Sequence, residues 1–282
     1  MIKTPDGQPL EPQFDWYQFS TQTDIRLVRE VLDPLAKDDP FHPEKPKLKG
    51  YGWAIKTGGP GGSCLIHFGG KNGDEFGPNV QGTGPLSPAV ADLFRASRIR
   101  HGVGRADVRI DFLGDFERCR LQFIERCNQA GVSTSDNGSS PESIVQKGRT
   151  VYGGARTSFY QPTLYQKGLQ LGDDFPENYL RLEHRFAPTK ATEKAQLSEL
   201  TPSQMVGLRP ISRDLSHSIA ELVVQPYTLT KQPKEKNTYH WMLSQYQKLL
   251  REMLDDAGSD ECFGKQIAHD LRQMKEAERA EQ

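Results

Sequence analysis

A tyrosine followed two residues later by a lysine lies downstream of a glycine-flanked arginine. The tyrosine and lysine are Tyr165 and Lys167. The arginine is Arg156, which comes shortly after Gly153 and Gly154. A phenol can act as a nucleophile, and cationic side chains attract phosphate. Because tyrosine has a pKa of about 10 in water, it needs a nearby cation or metal to react at neutral pH. The pattern predicts a nucleophile directed at phosphate, with Arg156, Lys167 or a bound ion lowering the pKa of Tyr165.

Two further segments alternate charged and apolar side chains with the period of a β-strand. One face of the segment 105–112 carries Arg105, Asp107, Arg109 and Asp111. The matching face of the segment 179–186 carries Tyr179, Arg181, Glu183 and Arg185. Cross-strand salt bridges would explain such faces structurally. The functional alternative is a site where carboxylates hold a divalent cation and arginines bind phosphate.

Strand geometry limits how the acids can cooperate. Asp107 and Asp111 are four residues apart, so their backbones lie about 13 Å apart on one strand. We therefore do not expect them to share one metal. Glu183 on a neighbouring strand could join either of them, and the sequence leaves the register open. The segment from Phe159 adds Thr163, Tyr165 and Lys167 on one face.

A basic cluster precedes the first charged strand. It consists of Arg95, Arg98, Arg100, His101, Arg105 and Arg109. Such a cluster is dense enough to meet a phosphate backbone. A purely structural explanation of this cluster is a solvated helix C-terminus, where the helix dipole favours positive charge.

Composition indicates a soluble protein of the cytosol. The 282 residues are 35% hydrophobic and 26% charged, with a mean hydropathy of -0.68 and a net charge of -1. No long apolar run predicts a signal peptide or a membrane span. The four cysteines have no metal-type spacing and are expected to be reduced packing residues: Cys64, Cys119, Cys127 and Cys262.

The order of elements predicts an α+β fold, in which an antiparallel sheet with packed helices is followed by a helical C-terminal region. We expect a polar tail over residues 1–13, a catalytic core over 14–188 and the helical region over 189–282. Predicted strands cover residues 14–20, 49–56, 63–68, 75–81, 104–113, 149–154, 159–167 and 178–187. Predicted helices cover residues 23–36, 87–97, 115–130, 191–200, 202–206, 214–223, 238–256 and 261–281. Residues 133–148 are expected to form a loop.

Two of these strands carry further expectations. The first alternates Phe14, Trp16 and Gln18 with Asp15, Tyr17 and Phe19. Pro162 removes one ladder hydrogen bond from the strand that carries Tyr165, which favours an edge or bulged strand there.

Together these motifs resemble the replication initiation factor family of rolling-circle plasmids and filamentous phages. The shared motifs, in order, are Ala106-Asp107 with Asp111, Tyr152-Gly153-Gly154-Ala155-Arg156, Leu164-Tyr165-Gln166-Lys167 and Arg181-Leu182-Glu183. The resemblance covers about residues 14–188. The glycine-rich segment 50–84 is more similar to the filamentous-phage branch.

The resemblance implies a DNA strand transferase in which Tyr165 forms a 5′-phosphotyrosine link and leaves a 3′-hydroxyl primer. Asp107, Asp111 and Glu183 correspond to acidic positions at which Mg²⁺ or Mn²⁺ would polarise the phosphate. Arg156, Lys167 and Arg181 would stabilise the developing charge. It also implies a homodimer, because one tyrosine per chain must open and close a strand.

The expected partner is origin DNA that is single-stranded or forms a cruciform at the nick site. No association with a membrane is expected. Candidate DNA-binding residues are Arg98, Arg100, Arg105, Arg109, Tyr152 and Arg185. Two alternatives stay open: a relaxase of a mobilisable or conjugative element, and a non-catalytic DNA-binding regulator. The regulator would use a C-terminal patch made of Lys231, Lys234, Lys236, Tyr239, His240 and Trp241.

Overall fold

The computed structural model describes residues 4, 7, 9–137, 148–172, 174–230, 250 and 252–280. The chain divides into two compact units, Met1–Leu229 and Thr230–Gln282. Every strand listed below belongs to the first unit. The predicted division at residues 13 and 188 stays a prediction about function.

Ten strands form one antiparallel sheet among the described residues. They are β1 (Gln13–Ser20), β2 (His42–Glu44), β3 (Trp53–Gly59), β4 (Gly62–Phe68), β5 (Asn79–Thr83), β6 (Gly102–Leu113), β7 (Thr134–Asn137), β8 (Thr150–Gly153), β9 (Tyr160–Gln166) and β10 (Tyr179–Phe186). Their order across the sheet is β2-β3-β4-β5-β1-β6-β10-β9-β8-β7. This sheet, with its packed helices, confirms the predicted α+β fold.

Helices connect and cover the strands. In the described part of the chain they are α1 (Ile25–Leu32), α2 (Gly70–Phe76), α3 (Leu86–Ser97), α4 (Phe116–Gln129), α5 (Lys167–Leu171), α6 (Ala191–Leu197), α7 (Pro202–Gly207), α8 (Pro210–Ala220) and α9 (Asp260–Ala280). A short 3-10 helix, Asp33–Ala36, follows α1. Side-chain caps fix several of the starts. Asp24 begins α1, Asp115 begins α4, and Thr201 forms a capping box with Gln204 at α7.

The alternation of β6 and β10 separates the two faces of the sheet as predicted. Ala106, Val108, Ile110 and Phe112 of β6 are fully buried. Leu180, Leu182, His184 and Phe186 of β10 are equally buried. Helices α3, α4, α6, α7 and α8 contact the strands and cover this apolar face. The charged side chains therefore share the opposite face.

Three hydrogen-bonded polar side chains lie within the apolar core, on the face of the sheet opposite the charged one. The hydroxyl of Tyr160 lies 2.8 Å from Nδ1 of His184, and Nε2 of His184 lies 3.0 Å from Oγ of Ser216. Burial lowers the pKa of His184 to about 3, so the ring is neutral at physiological pH. These contacts tie α8 to β9 and β10, and they support a structural role for His184.

The face assignment predicted for β1 is wrong. Its pairing with β6 contains a bulge between Phe14 and Trp16. The extra residue changes the alternation, so that Phe14, Tyr17 and Phe19 all enter the core. The same bulge places Asp15 beside the charged face.

Pro162 does not make β9 an edge strand, because β9 pairs with both β10 and β8. The pairing with β8 ends at Thr163, directly beside the proline. Gly153 follows Tyr152, the last residue of β8 that pairs with β9. A Cβ added at Gly153 would lie 2.8 Å from Cγ of Pro162 and 3.0 Å from Sγ of Cys127. Glycine is therefore required where β8 passes the proline ring.

Several element boundaries differ from the expectations. Residues 75 and 76 end α2, so β5 begins only at Asn79. Strand β7 replaces the start of the predicted loop, and residues 138–147 lie outside the described residues. Lys167 begins α5 instead of ending β9.

Three cysteines are packing residues as predicted, and one is not. Cys64, Cys119 and Cys127 are buried, whereas Cys262 is exposed.

The second unit is helical where it is described. Residues 252–257 and α9 form helices. The predicted C-terminal DNA-binding patch and most of the predicted helix 238–256 lie outside the described residues. Across the described ranges of both units, no helix is long and apolar enough to cross a membrane.

Candidate active site on the charged face of the sheet

Tyr165 lies near the end of β9, between two neighbouring strands. Arg181 of β10 and Thr150 of β8 are its direct cross-strand partners. The Tyr165 hydroxyl donates a hydrogen bond to Oε2 of Glu183, at 3.4 Å. The tyrosine as a whole is 8% exposed. The structure thus brings the predicted nucleophile against a predicted acid.

The expected lowering of the Tyr165 pKa is not found. Burial and the Glu183 carboxylate raise this pKa, and the Arg181 guanidinium opposes them only in part. Nζ of Lys167 lies 5.9 Å from the centre of the Tyr165 ring, and burial lowers the pKa of that lysine. The phenol therefore keeps its proton at neutral pH in the protein alone, and it needs a proton acceptor to react.

The strand register decides how the acids are arranged. Arg181 faces Asp111, Glu183 faces Arg109, and Arg185 faces Asp107. Glu183 therefore lies between the two aspartates along the strand pair. Asp111 accepts hydrogen bonds from Nε and Nη2 of Arg181, at 2.6 and 2.9 Å. This pairing commits Asp111 to a salt bridge.

Among the charged neighbours of Glu183, Asp107 raises its pKa most. Burial raises the pKa of Glu183, and the negative charges of Asp107 and Asp15 raise it further. Asp107 is 3% exposed, and it accepts hydrogen bonds from Nε of Arg105 at 2.9 and 3.1 Å and a further one from Nη2 of the same arginine. Burial also raises the pKa of Asp107. Two neighbouring carboxylates are thus incompletely neutralised by the protein itself.

Asp107, Asp111 and Glu183 do not form one group of three acids. Within the described ranges, no three His, Cys, Asp or Glu side chains are grouped so that they could hold one ion. Glu183 and Asp107 nevertheless fit a cation, because a positive charge would relieve their repulsion. Mg²⁺ commonly uses one or two carboxylates together with substrate phosphates. Asp111 fits less well, because two arginines, Arg181 and Arg109, compensate its charge, whereas the ion pair of Asp107 is with Arg105.

Part of the charged face is the salt-bridge ladder that the sequence offered as an alternative. Asp15 lies 2.9 Å from Nη1 of Arg181 and 3.3 Å from Nη1 of Arg109. Nε of Arg109 lies 3.5 Å from Asp111. Sequence analysis did not identify Asp15, because the bulge in β1 moves it to this face. Its one signal was an acid within an aromatic strand.

The rest of the charged face opens into a cleft of about 650 Å³. We call it the tyrosine cleft. Its walls include the predicted site residues Tyr165, Glu183, Tyr152, Arg105, Arg156 and Arg185. Sequence analysis missed its polar residues Thr150, Gln161 and Gln170, which carry no motif of their own.

Three guanidinium groups give the tyrosine cleft an excess of positive charge. Burial and the charges of Arg105 and Arg156 lower the pKa of Arg185. Nε of Arg185 is buried and has no hydrogen-bond partner among the described residues. Arg105 also lies over the Trp16 ring, 4.5 Å from its centre. Nε of Arg185 and the Arg156 guanidinium therefore suit a phosphate ligand, whereas Arg105 already pairs with Asp107.

Gly154 turns the chain at the cleft wall. Its φ of 73° lies in the left-handed region that favours glycine. Its amide donates a hydrogen bond to Ser133 O at 2.7 Å. This turn leads from Tyr152 to Arg156, which explains why the two cleft residues are separated by glycines.

Other predicted residues lie elsewhere. Arg98 and Arg100 are exposed beyond the end of α3, where Arg98 adopts a φ of 59°. Arg109 belongs to the salt-bridge ladder. None of these three lines the tyrosine cleft, and their roles in DNA binding stay predictions.

The fold is similar to that of a solved structure described as a rolling circle replication initiator protein from Geobacillus stearothermophilus. The two chains are 20% identical with a TM-score of 0.53, and the match covers 80% of this chain and 100% of that one. No protein-family model matches the sequence. No curated protein matches it either. At this level of identity the likeness establishes a shared fold.

Proposed function

We propose that this protein initiates rolling-circle replication by nicking one strand of origin DNA, with Tyr165 as the nucleophile. One observation carries the proposal. A single cleft holds the Tyr165 hydroxyl, the Glu183 carboxylate 3.4 Å away and three arginines. The fold shared with a rolling circle replication initiator supports the same general function.

The reaction exchanges one phosphoester bond for another. Oη of Tyr165 attacks the phosphorus, and the bond to the 3′-oxygen breaks. The products are a 5′-phosphotyrosine link and a free 3′-hydroxyl, whose proton comes from solvent. Rejoining is the reverse reaction, with a 3′-hydroxyl as the attacking group.

Glu183 would receive the proton that Tyr165 loses. Burial keeps the phenol protonated, so attack requires an acceptor within hydrogen-bond reach. The hydrogen bond from Tyr165 already points the phenol toward this carboxylate. Because a carboxylate has two oxygens, one could accept the proton of the phenol while the other remained available as a metal ligand.

The cleft arginines would hold the phosphate during the attack. Arg185 and Arg156 line the cleft with Tyr165, and Nε of Arg185 lacks a hydrogen-bond partner in the described part of the chain. Their charges would stabilise the negative charge that grows on the phosphate oxygens. Arg181 does not line the cleft but holds Asp111 and Asp15 in ion pairs beside it.

Glu183 with Asp107 would hold Mg²⁺ or Mn²⁺. When bound, such an ion polarises a phosphate oxygen. The charge of Asp107 raises the pKa of Glu183, which supports this pair of ligands. The homodimer and the kinship with the filamentous-phage branch stay predictions.

Nicking of supercoiled DNA tests the proposal. Purified protein with Mg²⁺ or Mn²⁺ should convert a plasmid carrying its own origin to open circles with protein on the 5′ end. Tyr165→Phe should reduce nicking to background while leaving the thermal unfolding temperature unchanged. A wild-type protein that binds the origin without nicking it would instead support a non-catalytic regulator. Nicking of a transfer origin alone would support a relaxase.

A further inference from the structure

A second cavity borders the turn that follows β8. The tyrosine cleft is bordered by Gly154 and Arg156 of this turn. The second cavity, of about 480 Å³, is bordered by Thr157 and Phe159. One short turn therefore contributes to both spaces. Arg156 and Thr157 are consecutive residues, so a strand held by Arg156 would pass close to the second cavity.

The walls of this second cavity are aromatic and aliphatic. Its charged residues are Arg209 and the ion pair of Lys190 with Glu193, which leaves one net positive charge. Phe159, Tyr227, Leu208 and Leu229 supply the apolar surface. Arg209 lies over the Phe159 ring, 5.7 Å from its centre. Threonines 157, 189 and 228 add hydroxyl groups at the edge. We call this space the aromatic pocket.

The aromatic pocket is built by a fixed segment of the first unit. After α8 the chain returns along α7, where the amide of Tyr227 donates to the Gly207 carbonyl at 3.0 Å. A Cβ at Gly207 would lie 2.5 Å from the Gln225 carbonyl oxygen and 3.1 Å from Cβ of Tyr227. Tyr227 and Leu229 also pack against the main core. Glycine at 207 thus permits the close approach that forms the wall.

We infer that the aromatic pocket binds an unpaired nucleobase of the strand whose phosphate occupies the tyrosine cleft. Aromatic rings stack on exposed bases, and arginine adds a cation-π contact or binds the adjoining phosphate. Its volume lies within the roughly 300–1,000 Å³ typical of small-ligand sites. A base within a duplex could not enter, so the pocket would select single-stranded DNA. This inference rests on the proposed function.

Binding of two oligonucleotides tests the inference. One probe is fluorescein-labelled dT12. The other is a labelled 12-mer of abasic sugars, which has the same phosphates without bases. Wild-type protein should bind dT12 at least tenfold more tightly, because stacking contributes only when bases are present. Tyr227→Leu should weaken dT12 binding about fivefold or more and leave the abasic probe unaffected.

Matched variants keep the outcome independent of folding. Arg209→Gln alters an exposed arginine of the pocket rim, and it should weaken dT12 binding. Arg26→Gln removes the same charge from the exposed face of α1, and it should weaken neither probe. Arg185→Gln in the tyrosine cleft should weaken both probes, since both contain phosphates. Circular dichroism melts check that each variant folds.

The possible failures are distinguishable. If Arg185→Gln weakens both probes but Tyr227→Leu and Arg209→Gln weaken neither, the pocket does not take a base, and the nicking proposal stands. If wild-type protein binds neither probe, the proposed function itself fails and the inference falls with it. Tyr227-dependent binding of thymidine monophosphate as tight as that of dT12 would identify a free-nucleotide site and overturn the strand subsite.

Discussion

Burial determines the chemistry available to Tyr165. Its pKa is raised by burial and by Glu183, so a free phenolate is not available at neutral pH. Its hydroxyl instead donates to the carboxylate that could remove the proton. The reactivity of this tyrosine therefore depends on a neighbour rather than on its own acidity.

Replacing Glu183 with glutamine should separate chemistry from stability. Glutamine keeps the shape but cannot accept the proton as a carboxylate does, so we expect nicking to fall about 100-fold or more. Because Glu183 forms no ion pair within the described residues, the melting temperature should stay close to that of the wild type. Kinetics of plasmid nicking and a thermal melt provide the two measurements.

Asp111→Asn is the matched control for Glu183→Gln. It makes the same chemical change on the same face, but within the salt-bridge ladder. We expect it to lower stability and to affect nicking of the folded protein less. An unfolded Glu183→Gln variant, or one that nicks at the wild-type rate, would contradict the assigned role.

The sequence could predict which residues share a face but not which of them interact. Period-two alternation places Tyr165, Arg181 and Glu183 on one side of the sheet. The register then divides that side into a ladder and a cleft, and register depends on long-range pairing. Asp15 escaped prediction because a bulge changed the alternation of β1.

At the scale of elements, one buried arginine connects three central strands. Arg181 of β10 is 3% exposed, and it pairs with Asp111 of β6 and Asp15 of β1. Its guanidinium thus neutralises one acid from the adjacent strand β6 and one from β1 beyond it. This connection fixes the strands whose other side chains line the tyrosine cleft.

Arg181→Met should therefore destabilise the protein strongly. Removing one partner of a buried ion pair leaves uncompensated charge, which costs roughly 3 kcal/mol. Arg185→Met, two residues along the same strand, is the control, and it should cost less than about 1 kcal/mol because Nε of Arg185 has no hydrogen-bond partner among the described residues. Urea unfolding measures both. Equal free energies of unfolding for the two variants would contradict a stabilising role for the ion pairs of Arg181.

Across the whole molecule, the order of strands was the least predictable feature. The sequence indicated most strands individually, but β1 lies between β5 and β6, and β10 lies between β6 and β9. The pairings of β1 with β5 and β6, and of β10 with β6, join segments far apart in the chain, so local sequence patterns cannot predict them. The short strands β2 and β7 were missed because three or four residues give too little alternation.

Global stability should fall in mild acid because histidines are buried in the neutral form. His101 contacts the Tyr17 hydroxyl at 3.0 Å, and burial lowers its pKa, aided by Arg95 and opposed by Glu199. As pH falls through about 6.5, the unfolded chain gains a proton that the folded chain does not. Stability is therefore lost on acidification, by at most roughly 1.4 kcal/mol per pH unit for this residue.

His101→Gln provides the comparison for this pH effect. Its free energy of unfolding should fall less steeply than that of the wild type between pH 7 and pH 5. Urea titrations at several pH values measure the slopes. Parallel slopes for the two proteins would show that His101 does not contribute.

The identity of the covalently attached residue tests the central claim most directly. Protein incubated with Mg²⁺ and a single-stranded oligonucleotide spanning its own nick site should form a stable adduct. After trypsin and nuclease digestion, fragmentation of the peptide 157–167 should place the nucleotide on Tyr165. The same peptide contains Tyr160, whose hydroxyl is buried against His184 and should stay unmodified. A nucleotide on any other residue, or nicking with no adduct, would contradict Tyr165 as the nucleophile.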